Sequence, residues 1–196
     1  MNITKGFPDA DRPQIAALYW EAFGSKLGFV MGPKHRAIGY FRAVVSPDHA
    51  ICARDAEGRL LGVAGFKTHE GALIGGSFRD MTDAYGWIGA KWRLALLSAL
   101  ERDVEEARFL MDGIFVAPHM RGRGIGTQLL EAIAAEAAAL GYAEVRLDVI
   151  DSNDRARALY ERQGFVVLRQ RSIGVLRHVF RFRSATTMVL RVARGR

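Results

Sequence analysis

Met-Asp-Gly-Ile-Phe-Val-Ala-Pro-His-Met-Arg-Gly-Arg-Gly-Ile-Gly-Thr, residues 111–127, decides how this chain is read. The apolar run 109–116 predicts a strand that enters a turn at Pro118. Gly122, Gly124 and Gly126 alternate in the next loop, and an alanine-rich helical pattern over 126–140 begins at its end. Glycines at this spacing leave backbone N–H groups uncovered, and the helix N-terminus adds the positive end of its dipole. Together they form an anion site suited to phosphate.

Working outward, Leu129, Leu130, Ile133, Ala137 and Leu140 predict the buried stripe of that helix, with Gly141 as its cap. Residues 144–150 predict the next strand. Asp151, Ser152 and Asn153 supply cap chemistry for a helix through Gln163, closed by Gly164. Two last strands are predicted over 165–171 and 186–192, joined by a basic and aromatic connection, 172–185. Before the loop, 2–6 predicts a short strand and 11–23 an amphipathic helix carrying Ile15, Leu18, Tyr19, Ala22 and Phe23. Residues 24–32 predict a glycine-punctuated loop, 33–45 a second helix, and 49–54 with 60–68 a hairpin about 55–58. Residues 70–86, with Gly71, Gly75, Gly76 and Gly86, read as a loop. A helix is predicted over 87–106 with Ile88, Trp92, Ala95, Leu96, Ala99 and Leu100 on one side. No repeat or linker divides the chain, so one domain over 1–196 is expected: an α/β (α+β) fold with a mixed sheet and helices packed against it.

The 196 residues, 49% of them hydrophobic, fit one domain with a full core. The net charge of +7 comes mostly from scattered arginines, which read as solvated surface; only 177–196 is locally basic. No recognition motif accompanies that charge, so no nucleic-acid partner is expected. Cys52 is alone, so no internal disulfide can form. Residues 1–6 lack the apolar core of a signal peptide, and no uncharged apolar run approaches membrane-spanning length. A cytoplasmic protein with no membrane partner is expected.

Three phosphate loops compete for 111–127. A P-loop needs Gly-Lys-Ser/Thr after four intervening residues from its first glycine, and no such string occurs. A dinucleotide fingerprint begins as Gly122-Arg123-Gly124, and Asp148 ends the next strand at about the right distance. Its third glycine falls at Thr127, however, and no second mononucleotide half follows. The third is the acyl-CoA loop. Val116-x-Pro118-x-x-Arg121-Gly122-x-Gly124-Ile125-Gly126 resembles the pyrophosphate motif of the GNAT superfamily of acyl-CoA N-acyltransferases. The pattern Gln/Arg-x-x-Gly-x-Gly/Ala is met by Arg121, Gly124 and Gly126. Asn153, followed by Ala158-Leu159-Tyr160-Glu161-Arg162-Gln163-Gly164-Phe165, resembles the family's Asn…hydrophobic-Tyr-x-x-x-Gly-Phe segment. The resemblance covers 109–165 well and the first hundred residues only in element order.

That resemblance implies a mostly antiparallel sheet of about six to seven strands flanked by helices and splayed between 109–116 and 144–150. The pantetheine arm of acetyl-CoA would lie in the splay. The backbone of Ile114, Phe115 and Val116 would meet its amides and the thioester carbonyl. Arg121, Gly122, Arg123, Gly124, Ile125, Gly126 and Thr127 would take the pyrophosphate. Asn153, Asp154, Arg155 and Tyr160 would complete the cofactor-binding set from the other side. The implied activity is N-acetyltransfer to a primary amine, of a small molecule or a protein, by direct attack in a ternary complex. A non-catalytic acyl-CoA sensor of the same fold is the alternative.

The reaction needs a polarised carbonyl, a neutral amine and a protonated leaving thiolate. A fixed backbone N–H near Val116 suits the oxyanion. Tyr160 suits the last step, since a phenol of pKa about 10 matches a thiolate of similar basicity. Asp112, four residues before Val116, is expected on the same strand face. Relatives that acetylate polyamines carry an acidic residue at the similar position. A carboxylate of pKa about 4 deprotonates an alkylamine poorly, so Asp112 acts through a water relay or, beside Gly113, stabilises a bulge. The histidines have no metal-ligand spacing and no metal is expected. No G-x-S-x-G elbow occurs. Asp80 and Asp83 are candidates for lining a cationic acceptor's site. Trp20, Phe23 and Phe29 lie near the family's acceptor pocket, although the first two also read as core. A homodimer is possible, with 172–185 the candidate surface.

Overall fold

A computed structural model describes residues 1–98, 104 and 108–192. The strands are β1 (Asn2–Lys5), β2 (Ala50–Arg54), β3 (Leu60–Thr68), β4 (Gly71–Ala72), β5 (Arg108–Val116), β6 (Glu144–Ile150), β7 (Val166–Ser172) and β8 (Ser184–Arg191). They form one mixed sheet in the order β1-β2-β3-β5-β6-β8-β7, with the two-residue β4 on β3. Among the described residues every pairing is antiparallel except β5 with β6. The helices are α1 (Arg12–Met31), α2 (Lys34–Val44), α3 (Phe78–Ser98), α4 (Ile125–Ala139), α5 (Asp154–Arg162) and the short α6 (Arg177–Phe180).

Period-two alternation divides the core between the two faces of this sheet. Ile51 and Ala53 of β2, Phe109 and Met111 of β5, and Val145, Leu147 and Val149 of β6 pack against Leu129, Leu130 and Ile133 of α4. Ala50, Cys52, Val63 and Phe115 face the other way, onto Ile15 and its neighbours on α1. Burial pushes the Cys52 thiol up to about 12. Beside that cluster, α1, α2 and α3 pack on one another through Met31, Phe41, Met81 and Tyr85. The alanines of α4 allow its close seat on the sheet. Gly141, at φ 83°, ends α4, and Tyr142 N–H donates to Ala137 O across the cap. Leu140, expected in the buried stripe, is 51% exposed because it lies in that cap turn.

Two stretches differ from the sequence reading. Residues 24–32 are mostly helix, since α1 runs on to Met31. Gly24 lies under the Trp20 ring and Val30 and Met31 are buried, and this packing overrides the low helix propensity of glycine. Residues 70–86 contain β4 and the start of α3. Ser77 and Asp80 form a reciprocal cap: Ser77 N–H donates to Asp80 Oδ2 at 2.8 Å, and Asp80 N–H donates to Ser77 Oγ. Gly86, at φ 72°, then kinks the helix. The buried face of α3 is consequently set by Met81, Tyr85 and Ala90, leaving Ile88 77% exposed. Ala99, Leu100 and the rest of the helix expected to reach 106 lie outside the described residues, apart from Val104.

Leu129 is fully buried at the middle of the α4–sheet interface. Leu129→Ala should cost about 2–5 kcal/mol in urea unfolding, the range for a buried leucine whose cavity cannot collapse.

Candidate active site

β5 and β6 pair in parallel for three residues: Arg108 with Glu144, Phe109 with Val145, Leu110 with Arg146. Arg108 Nε donates to Glu144 Oε2 at 2.7 Å and clamps that end. Past Leu110, β5 follows β3 while β6 follows β8 to Ile150, so a gap opens between them.

A bulge sits where the gap begins. Gly65 of β3 faces Gly113 and Phe66 faces Met111, which leaves Asp112 as the extra residue on β5. The side-chain parity of the strand slips there. Phe109 and Met111 pack toward α4 before the bulge, and Ile114 and Val116 do so after it. Leu110 and Asp112 line a cavity on the opposite face, and a Cβ on Gly113 would meet Phe23 of α1 at 2.8 Å. Asp112 and Val116 therefore lie on opposite faces, not on the same face as four-residue spacing implied; a bulged strand does not keep the period of two.

Backbone direction follows the same ladder. Ala117 N–H donates to Leu61 O at 2.9 Å, so Ala117 and Phe115 turn their peptide groups toward β3. Ile114 and Val116 turn theirs toward the gap. Of the three residues expected to offer backbone partners there, Phe115 is committed to β3. The Val116 carbonyl accepts from Arg121 Nε at 3.1 Å, and Arg121 Nη2 lies 3.9 Å from Glu21 Oε1 of α1. Arg121 thus ties the start of the glycine loop to β5 and to α1.

The loop ends in a bare helix N-terminus. Gly122 and Gly124 have φ of 79° and 77°, left-handed values that a side chain resists, and nothing lies within 4 Å of a Cβ built on either. Gly124 is the N-cap of α4 and has no side chain to cap it. The first-turn N–H groups of Ile125, Gly126 and Thr127 have no partner inside the helix. Gly126 has a different task from the other two glycines: a Cβ there would press on Leu159 Cδ2 at 3.1 Å, so it lets α4 and α5 approach. Ile125 is buried beneath the loop, whereas Arg123 is exposed. This open cradle with φ-positive glycines, flanked by the exposed Arg121 and Arg123, fits a pyrophosphate.

Asn153 caps α5: its Oδ1 accepts from Ala156 N–H at 3.3 Å. Asp154 and Arg155 are exposed in the first turn of α5. Tyr160, 5% exposed, packs on the α4 side of the sheet with its ring 5.8 Å from Phe165. Tyr160 and Asp112 accordingly approach the sheet from opposite sides.

On Asp112's side lies a cavity of about 580 Å³ between the sheet and α1–α3. Phe23, Tyr40 and Phe41 supply aromatic walls, and Lys26 sits over the Phe23 ring at 4.5 Å. Lys67, Asp112, Arg146, Asp148, Arg169 and Arg171 supply charge from the sheet. Arg146 Nη2 lies 3.6 Å from Asp148 Oδ2. Of the aromatic residues expected near the acceptor, Phe23 lines the cavity, Trp20 packs against Phe41 and Phe29 is exposed. Asp80 caps α3 and Asp83 is exposed; neither lines the cavity among the described residues. No sequence motif marks Tyr40, Arg146, Arg169 or Arg171. One signal was available: Glu144, Arg146 and Asp148 alternate with Val145, Leu147 and Val149, which marks a polar strand face that needs a polar surrounding.

Structures of similar fold have been solved as N-acetyltransferases. The fold matches an N-acetyltransferase from Staphylococcus aureus Mu50 with a TM-score of 0.67 at 15% identity, covering 97% of this chain and 100% of that one. It matches yncA from Salmonella typhimurium, solved with its cofactor acetyl-CoA, with a TM-score of 0.61 at 17% identity over 99% of this chain and 95% of that one. The chain belongs to the acetyltransferase (GNAT) family, matched over residues 12–165. A curated relative, thialysine N-epsilon-acetyltransferase of Bos taurus, is 39% identical over 54 residues, 28% of this chain. The match spans about a third of that relative's length, 32%.

Tyr40 gives the cavity a titration signature. Burial, then the nearby Asp80 and Tyr85, push its phenol up to about 12 from an ordinary 10. A raised folded-state value means its stabilising effect is complete below pH 10 and is lost as pH climbs toward 12. Urea unfolding of the wild type should weaken with a contribution from Tyr40 of about 1.4 kcal/mol per pH unit in that window, and Tyr40→Phe should flatten the decline.

Proposed function

We propose that the protein is an acetyl-CoA-dependent N-acetyltransferase that passes the acetyl group directly to a primary amine in a ternary complex. One observation carries this reading: the β5–β6 gap joins an anion cradle and a buried tyrosine on one face to a charged cavity on the other. Two substrates can reach the gap from opposite sides. The relative named for acetylating an ε-amine supports an amine as acceptor.

Acetyl-CoA supplies an activated acyl group as a thioester. The N–H groups of Ile125, Gly126 and Thr127 hold its pyrophosphate, aided by the α4 dipole. Ile114 and Val116 hold the arm through backbone groups in the gap, and Val116 N–H faces the developing oxyanion. The amine enters from the cavity. Its nitrogen forms the new C–N bond as the C–S bond breaks. Asp112, at the cavity edge of the bulge, receives the amine's proton through water. Tyr160 gives its phenolic proton to the departing sulfur. Asn153 sets the first turn of α5 and thereby the placement of Tyr160, with Asp154 and Arg155 beside the arm.

Thiol release with acetyl-CoA and a broad amine panel tests the reading. Tyr160→Phe should lower kcat about 100-fold or more while leaving acetyl-CoA affinity largely intact. Normal turnover of that variant would remove Tyr160 from the proton-donor role. Tight acetyl-CoA binding with slow release across the whole panel would favour the sensor.

A further inference from the structure

We infer that the acceptor carries an anionic group as well as its amine, and that Arg169 and Arg171 at the β7 rim of the cavity receive that anion. The inference rests on the acetyl-transfer reading for the fate of the amine; the anion site itself rests on the cavity.

The sheet register lays out the site. Asp148 of β6 faces Thr187 of β8, which faces Arg169 of β7. One row on, Ile150 faces Ala185, which faces Arg171. All six line the cavity. Arg169 and Arg171 are two residues apart on one strand face, so their guanidinium groups can converge on a single anion. The residues between them and β6 are small, Thr187 and Ala185, which leaves room for a ligand to lie along the rows. Both arginines are exposed, and neither makes an ion pair among the described residues.

The β7 rim carries arginine alone, whereas both signs of charge line the rest of the cavity, where Lys26, Lys67 and Arg146 accompany its two carboxylates and Arg146 lies 3.6 Å from Asp148. The cavity's carboxylates among the described residues, Asp112 and Asp148, sit on the two strands that flank the gap. Arg169 and Arg171 lie two strand spacings beyond β6, about 10 Å. An acceptor with an amine at one end and an acid at the other is oriented by this polarity: the amine is led to the gap and the acid to the rim. A purely cationic acceptor has no counter-group for the arginines. Guanidinium forks match carboxylate and phosphate alike, so the shared chemistry is a planar or tetrahedral oxyanion several bonds from the reacting nitrogen.

Matched probes test this: 6-aminohexanoate and 5-aminopentylphosphonate against hexylamine and 1,6-diaminohexane, in the thiol-release assay. The wild type should favour the acid-bearing amines at least tenfold in kcat/KM, mainly through KM. The preference should fall close to one in R169Q/R171Q and return in part in R169K/R171K, which keeps the charge but not the fork. The ratio between carboxylate and phosphonate tells which anion the site takes. Equal turnover of acid-free and acid-bearing amines by the wild type, or an unchanged preference in R169Q/R171Q, overturns the inference. If no amine releases thiol, acetyl transfer is what has failed, and calorimetric titration of the same amines still reads the anion site. Weaker binding of 6-aminohexanoate to R169Q/R171Q then sustains it, and equal binding overturns it.

Discussion

Three residues of parallel pairing hold β5 to β6, and the rest of the site depends on the pairing ending where it does. Arg108 and Glu144 lock the start through a 2.7 Å hydrogen bond. Two residues later the strands part, because each has a stronger antiparallel partner on its other side: β3 for β5 and β8 for β6. The bulge at Asp112 falls at the parting. It bends the strand and shifts its side-chain parity, so one strand serves two surfaces. Before it, Leu110 and Asp112 look into the cavity; after it, Ile114 and Val116 pack toward α4 and turn their peptide groups to the gap. Without the slip, the polar residue at 112 would share the apolar α4 face with Val116.

Each face is held in place by packing that has no chemistry of its own. Phe23 occupies the space a side chain on Gly113 would take, which seats α1 against the bulge. Arg121 spans Val116 and Glu21 and so links the loop to the strand and to α1. Leu159 on Gly126 sets α5 against α4, and the Asn153 cap fixes where α5 begins. Tyr160 inherits its position from both contacts. The first turn of α4 is left with N–H groups that only a ligand or water can satisfy, a cost that a bound phosphate offsets.

Much of this was legible in the sequence because its determinants are local. The glycine loop, α4, β6 and α5 follow from helical periodicity, alternation and cap residues within a few positions of each other. The rest depended on distant partners. Gly24 reads as a break unless one knows that Trp20 covers it. The start of α3 was encoded in Ser77 and Asp80, but the surrounding glycines masked it, and the kink at Gly86 shifted the buried face. The bulge defeats counting, since four residues from Asp112 to Val116 imply one face only in a regular strand. The charged cavity was the least legible part. Its charged residues come from α1, β3, β5, β6 and β7, and each alone reads as a solvated charge. Only the alternation on β6 hinted at a polar surface behind the sheet.

The central claim is that the bare N-terminus of α4 and the open edge of β5 together hold acetyl-CoA. Amide hydrogen exchange with and without acetyl-CoA reads it most directly. The account predicts that protection rises at 122–127 and at Ile114 and Val116, with Phe115, already bonded to β3, largely unchanged. Protection confined to other segments, or none at saturating acetyl-CoA, would contradict it.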